Sequence, residues 1–401
     1  MKGVKVLLIL VLGALVSFGL SGTAMAFHAG GVAHCDGCHT MHNSQDGATI
    51  IPGTTTLGTG INSFLLVGSD PSSTCLSCHV RIYRSLSDGS TTAANTYVPG
   101  GDFWWINQVT PANDRGGTVP AAAHGHNTIA LDFTILQDNV LTSGPSNGSV
   151  NYQAAWLGCN SCHDPHGKIA NNLNPLPISG SGSYGEADGT PAAGSMFGNY
   201  RILGGVGYDG GGQASGIAFA NAAPIAEAYH GSRGQWPAET DTNHVDYGAG
   251  MSEWCVNCHS GFDADGSQAH RHPASNDAHL NGFSSAYNSY VATGDLTGAA
   301  ATAFDRLVPF ERGITDPFAA GLDHTQTVGP DSNSNVMCVT CHRAHATAFP
   351  DALRWDPNEE LIAHSVILNE AYGIHAYYGE TPGSRYNDFQ RSLCNKCHLQ
   401  D

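Results

Sequence analysis

Apolar positions in this chain form one long run and many short fragments. Val6 to Leu20 is apolar almost throughout, follows the cations Lys2 and Lys5, and leads to Ala24-Met25-Ala26, a small-x-small cleavage signal. That order predicts a secretory signal peptide over residues 1–26 and a mature chain starting at Phe27. No second apolar run is long enough for a membrane helix, and the alternating strands of a membrane barrel are not evident, so no stable membrane insertion is expected. Elsewhere the pattern is broken. Residues 178–194 and 204–216 are dominated by Gly, Ser, Ala and Asp and follow neither the helical nor the strand period. Short helices are expected at 286–290, 302–310, 359–369 and at the Cys motifs described next. The predicted fold class is mostly irregular coil with short α-helices, forming one elongated domain over residues 27–401.

Composition sharpens this picture. With 50 Gly, 19 Pro and 12% charged residues, long helices with solvated faces are disfavoured. Acidic residues outnumber basic ones 34 to 16, and the lysines are confined to positions 2, 5, 168 and 396. Such a chain has no polybasic face, which excludes nucleic acid and anionic lipid as partners.

The cysteines supply the chemistry that the apolar pattern lacks. All 12 fall into six C-x-x-C-H motifs: Cys35, Cys38 and His39; Cys75, Cys78 and His79; Cys159, Cys162 and His163; Cys255, Cys258 and His259; Cys338, Cys341 and His342; Cys394, Cys397 and His398. In this motif two Cys at i and i+3 share a helical face and form thioethers to a porphyrin, while His at i+4 reaches the iron. Six covalent haem c groups are the predicted cofactors, with those six His as proximal ligands. The porphyrins would provide the missing apolar core. Phe103-Trp104-Trp105, Trp156-Leu157 and Trp254 are expected to pack on them rather than relay electrons. The motif spacings are uneven, which argues against a solenoid repeat. Motifs one, three and five nevertheless each run on into a further His, at 42, 166 and 345, so the chain reads as three haem pairs.

Function turns on the sixth ligand of each iron. The mature chain has too few Met for six Met-ligated haems, whereas His is in surplus, so bis-His ligation is predicted throughout; imidazole in place of Met lowers the reduction potential. His42, His166 and His345 each lie three residues after a proximal His, too close to pass around the same porphyrin, so each must serve a different haem. His126, His272 and His324 stand on loops between motifs and are the other three candidates, with His28 as the alternative to any of them. Backbone carbonyls are the expected acceptors for the second ring nitrogen of these imidazoles. His34, His124, His230, His244, His270, His279, His364 and His375 are assigned to ordinary surface or hydrogen-bonding roles.

Several stretches extend the pattern beyond the motifs themselves. Phe27-His28-Ala29-Gly30-Gly31-Val32-Ala33 leads into C-D-G-C-H-T-M-H-N-S, and later come C-N-S-C-H-D-P-H-G-K, Y-R-I-L-G-G at 200–205, G-M-S-E-W-C-V-N-C-H at 250–259, R-A-H-A at 343–346 and L-C-N-K-C-H near the end. These resemble the filament-forming outer-surface hexahaem cytochromes of metal-reducing bacteria. The resemblance implies a homopolymer with a continuous haem chain, conducting electrons out of the cell to Fe(III) oxides, electrodes or other cytochromes. It also implies that His42 ligates the haem of motif five in the neighbouring subunit. The signal peptide itself implies export only; outer-surface residence rests on the resemblance, with the periplasm as the alternative. Two other functions remain open. One is a multihaem oxidoreductase of the nitrite or hydroxylamine type, which usually has an altered motif or an open iron; the other is a monomeric periplasmic electron shuttle. Six regular motifs with His in surplus favour a redox carrier over an enzyme.

Overall fold

The computed structural model describes residues 35–39, 44–45, 48–49, 65–79, 99–112, 116–144, 152–165, 200–208, 217–227, 239–262, 272–315, 321–365, 376–378, 385–387 and 389–399. The signal segment, His28, His42 and His166 lie outside them. The described chain is mostly coil. Helices are short: α1 (Cys35–Cys38), α2 (Pro71–Cys78), α3 (Cys159–Cys162), α4 (Met251–Val256), α5 (Phe283–Ser289), α6 (Cys338–Cys341) and α7 (Asn395–His398). Among the described residues, six strands of two to four residues form three antiparallel ribbons: β1 (Ser44–Gln45) with β2 (Ala48–Thr49), β3 (Thr110–Pro111) with β4 (Thr118–Val119), and β5 (Ile225–Glu227) with β6 (Asp246–Ala249). Among the described residues no helix is long and apolar enough to cross a membrane.

Every Cys motif carries a helix or abuts one, and local capping explains how such short helices persist. Asp70 accepts from Ser73 N at 2.8 Å and Pro71 opens α2, the usual N-cap and first-turn chemistry. In α3, Ser161 Oγ accepts from Gly158 N at 2.9 Å; in α6, Thr340 Oγ1 accepts from Met337 N at 3.1 Å.

Two further devices recur. The first joins consecutive motifs: Ser72, three residues before Cys75, accepts from Cys159 N at 2.9 Å, and Ser252, three residues before Cys255, accepts from Cys338 N at 3.0 Å. Motif two is thus docked on motif three and motif four on motif five.

The second device marks the odd motifs. His39, His163 and His342 each form an antiparallel bridge to a leucine, at 66, 203 and 353. The residue before each leucine, Leu65, Ile202 or Ala352, has φ of 55°, 51° or 55°. The next residue then donates to the second Cys carbonyl at 2.9 Å: Val67 to Cys38, Gly204 to Cys162 and Arg354 to Cys341. A left-handed non-glycine backbone is costly, so its recurrence at three equivalent places marks one structural unit repeated.

The protein core is larger than the apolar pattern suggested. Leu76, Phe103, Trp105, Tyr287, Phe304, Leu307, Phe310, Phe349, Tyr377 and Leu393 belong to one buried cluster reaching from motif two to motif six. Each such side chain contributes about 1.5–3 kcal/mol on burial. They come singly from loops, so no periodicity announces them. Helix α5 overlaps the segment expected at 286–290. Residues 302–310 are not a helix: a 3-10 turn over Ala300–Thr302 gives way to irregular chain with a turn closed by Val308 N donating to Asp305 O at 2.9 Å, in which Phe304, Leu307, Val308 and Phe310 are buried. Pro309 disfavours helical geometry at Val308 and accounts for the break. At 359–369 only Ile362–His364 forms a 3-10 turn, and residues 366–369 lie outside the described residues.

Candidate metal centres

Three segments distant in sequence interleave to build one platform. His345 N donates to Gly100 O at 2.7 Å, Asp102 N to Ala346 O at 3.0 Å, and His126 N to His345 O at 2.8 Å. Gly101 (φ 101°) and Gly125 (φ 157°) flank this strand so closely that a Cβ would stand 2.3 Å from Ala346 O or 2.1 Å from His345 O. Only glycine permits both the backbone conformation and the approach. The platform holds two imidazoles from the candidate set, His126 and His345.

Each of them faces a motif His. His126 Nε2 is 3.5 Å from His259 Nε2, with ring centroids 5.7 Å apart, and the His345 ring centroid is 6.5 Å from that of His163. A third pair, His272 and His398, is separated by 6.0 Å. Two imidazoles sharing one metal at ~2.0 Å per bond would hold their nitrogens ~4 Å and their ring centres ~6.4 Å apart.

In five of the candidate imidazoles the other ring nitrogen is also spoken for. Nδ1 of His163 hydrogen-bonds Arg201 O at 2.7 Å, His342 to Asp351 O at 2.7 Å, His126 to Ala344 O at 2.6 Å, His345 to Gly101 O at 3.2 Å and His272 to Pro273 O at 2.9 Å. Carbonyl acceptors fix the tautomer with Nε2 unprotonated, the form a metal needs. Burial pushes the His163 imidazole down to about 4 and His345 to about 3, and it lowers His126 and His79 as well. These rings are therefore neutral at physiological pH.

By contrast, His124 is fully buried with both nitrogens occupied, by Thr347 O at 2.9 Å and Thr110 Oγ1 at 3.2 Å. His244 is likewise held by Val245 O and Gln326 O. His324 Nδ1 meets a carboxylate, Glu227 Oε1, at 2.8 Å rather than a carbonyl. Phe103 stacks on His345 with centroids 4.6 Å apart, and Trp254 Nε1 donates to Gly204 O at 2.8 Å.

Comparison with known proteins adds two observations. The chain is 39% identical to the C-type cytochrome OmcS of Geobacter sulfurreducens over 441 residues, covering all of both chains. The chain belongs to the OmcS family of c-type cytochromes. Its fold matches a cryo-EM structure of OmcS nanowires from the same organism, with a TM-score of 0.77, 38% identity and coverage of 94% of this chain and all of that one. A second structure, an Outer Membrane Cytochrome S filament, matches with a TM-score of 0.73 at the same identity and coverage. No protein-family model matches the chain.

As a c-type cytochrome of the OmcS family, the protein carries covalently bound haem c. The residues present fit that group. The sulfurs of Cys75 and Cys159 lie in hydrogen-bonding contact, as do those of Cys255 and Cys338, so successive attachment points adjoin. An electrostatic feature absent from the sequence reading points the same way. Arg343 and Arg354 are 1% and 2% exposed, and with Arg306 they surround one buried carboxylate, Glu239. Arg343 Nη1 reaches Glu239 Oε2 at 3.2 Å and its guanidinium lies 3.8 Å from the Tyr378 ring centre, yet Nε and Nη2 find no acceptor among the described residues. Buried guanidinium nitrogens are rarely left so, and a haem propionate is a carboxylate of the right charge. The position of Arg343, between His342 and His345, is the one sequence signal that would have drawn attention to it.

Proposed function

We propose that the chain is a hexahaem, bis-His electron conduit that polymerises into conductive filaments outside the cell and delivers electrons to Fe(III) oxides, electrodes or partner cytochromes. The haems supply the redox chemistry, each iron cycling between ferric and ferrous without bond making on a substrate. The chain's own residues hold, orient and space those centres. The single observation carrying this reading is His345 beside His163: a His following motif five faces the proximal ligand of motif three, two motifs back.

That step extends through the chain. For odd motifs the distal ligand comes from the segment two motifs ahead, so His345 serves motif three and His166 serves motif one. His42 has no motif two steps back in its own chain; it serves motif five of the neighbouring subunit. For even motifs the ligand comes from the segment before the preceding motif. His272 faces the motif-six His398 and His126 faces the motif-four His259. By the same rule His28, just before motif one, serves motif two. This allocation uses six of the seven candidates and leaves His324 without axial duty. The bonds that dock motif two on three and four on five leave motif six to meet motif one of the next subunit.

The related OmcS structures are those of nanowires and of a filament, which supports assembly of this chain in the same way. The test is electron microscopy of material shed by cells producing wild type or His42→Ala. Long filaments from the wild type and short or absent ones from the variant are expected. Normal filaments from the variant would refute trans-ligation by His42. Carbon monoxide should leave the ferrous wild-type filament unligated; rapid binding at one haem would favour an enzyme.

A further inference from the structure

We propose that Glu227, Asp323 and His324 bind one divalent transition-metal ion of the Mn2+, Fe2+ or Zn2+ class, separate from the haems. Each residue offers one ligand atom, and these atoms lie within 4.8 Å of one another. Ligands ~2.1 Å from a common ion stand ~3–4.2 Å apart, so closure requires side-chain shifts of less than about 1 Å. An imidazole with two carboxylates suits Mn2+, Fe2+ and Zn2+, whereas Mg2+ and Ca2+ prefer oxygen alone.

The triad is positioned by groups outside it. In the β5–β6 ribbon Glu227 lies directly opposite Asp246. Asp246 is 1% exposed, is held by Arg312 Nε at 2.7 Å, and accepts from Asp323 N at 2.9 Å and from Gln326 Nε2. His324 O accepts from the backbone N of His244 at 3.0 Å, and the His244 ring stacks 3.7 Å from Phe304. Asp323 itself is held by Thr325, whose N and Oγ1 donate to its Oδ1 at 2.8 and 2.6 Å. Such supporting contacts are what give a metal site its affinity. Asp323 is exposed, so the ion has an entry path and room for water ligands.

The inference rests on the allocation that gives the motif-two haem to His28, releasing His324. The experiment uses the haem-loaded wild-type protein, stripped with EDTA and titrated with Mn2+ while the free-ion EPR signal is followed. One saturable site per chain is expected, weakened about 100-fold by Glu227→Gln and by His324→Ala, with haem absorption and carbon monoxide reactivity unchanged in both variants. No saturable site in the wild type, or one that survives both substitutions, would overturn the metal site alone. A carbon-monoxide-reactive haem in His324→Ala would instead show that His324 is an axial ligand, overturning the allocation and the metal site together.

Discussion

His126 and His259 are 133 residues apart in sequence, and their Nε2 atoms are 3.5 Å apart. One sits on a loop docked against the 345–346 segment, the other ends motif four. The juxtaposition is specific, since the Nδ1 of His126 is anchored to Ala344 O. His126→Ala should therefore open one iron and leave the others closed. Ferrous protein is expected to bind one carbon monoxide per chain, against none for wild type, with a matching high-spin signal. Binding at several haems would mean that the loop supports more than one centre.

The bonds from Cys159 N to Ser72 and from Cys338 N to Ser252 are equivalent. Ser72→Ala and Ser252→Ala should each destabilise the protein by about 1 kcal/mol, the usual worth of a hydroxyl accepting at a helix N-terminus. The two sites share no partner, so the double variant should show the sum. Denaturant unfolding of the haem-loaded protein measures all three.

Two buried guanidinium nitrogens of Arg343, Nε and Nη2, have no acceptor among the described residues. Arg343→Gln removes a buried positive charge beside motif five, which stabilises the ferric state. At least one haem potential is expected to fall, as read by spectroelectrochemical titration. Glu239→Gln, by stripping three buried arginines of their shared carboxylate, should cost about 3–5 kcal/mol of stability.

Glu311 is fully buried, with Oε1 accepting from Met251 N at 2.7 Å. Burial pushes its carboxyl up to about 8, with the Glu253 carboxylate adding to the rise and the Met251 N–H opposing it. The unfolded chain ionises this group near 4.5, so between pH 4.5 and 8 the folded state holds more protons. Its stability must then fall as pH rises through that window, by roughly 5 kcal/mol in full. Glu311→Gln keeps the acceptor for Met251 N and should flatten this slope, making the variant more stable than wild type at pH 8 and similar at pH 4.5. Paired thermal melts at the two pH values decide it.

The six C-x-x-C-H motifs stand out in the sequence because covalent haem attachment needs fixed local spacing. The extra His at 345 was legible for the same reason, as it could not reach its own iron. The partner of His345 was not, because the choice of His163 depends on the crossing of 99–102, 124–126 and 343–347, which no local pattern encodes. The docking of motif two on three depends on Ser72, an ordinary helix serine in sequence. The tripled left-handed turn before Leu66, Leu203 and Leu353 uses different residues at each site, so only its backbone repeats. Buried Arg343, Arg354 and Glu239 look like surface charges until the fold brings them together.

We propose that ligation continues from one chain into the next by the two-motif step that sets His345 beside His163. Cryo-EM of the wild-type filament, at a resolution showing both axial ligands of the motif-five haem, tests this directly. His342 is expected on one face and His42 of the adjacent subunit on the other. A ligand from the same chain, or an open face on that iron, would contradict it.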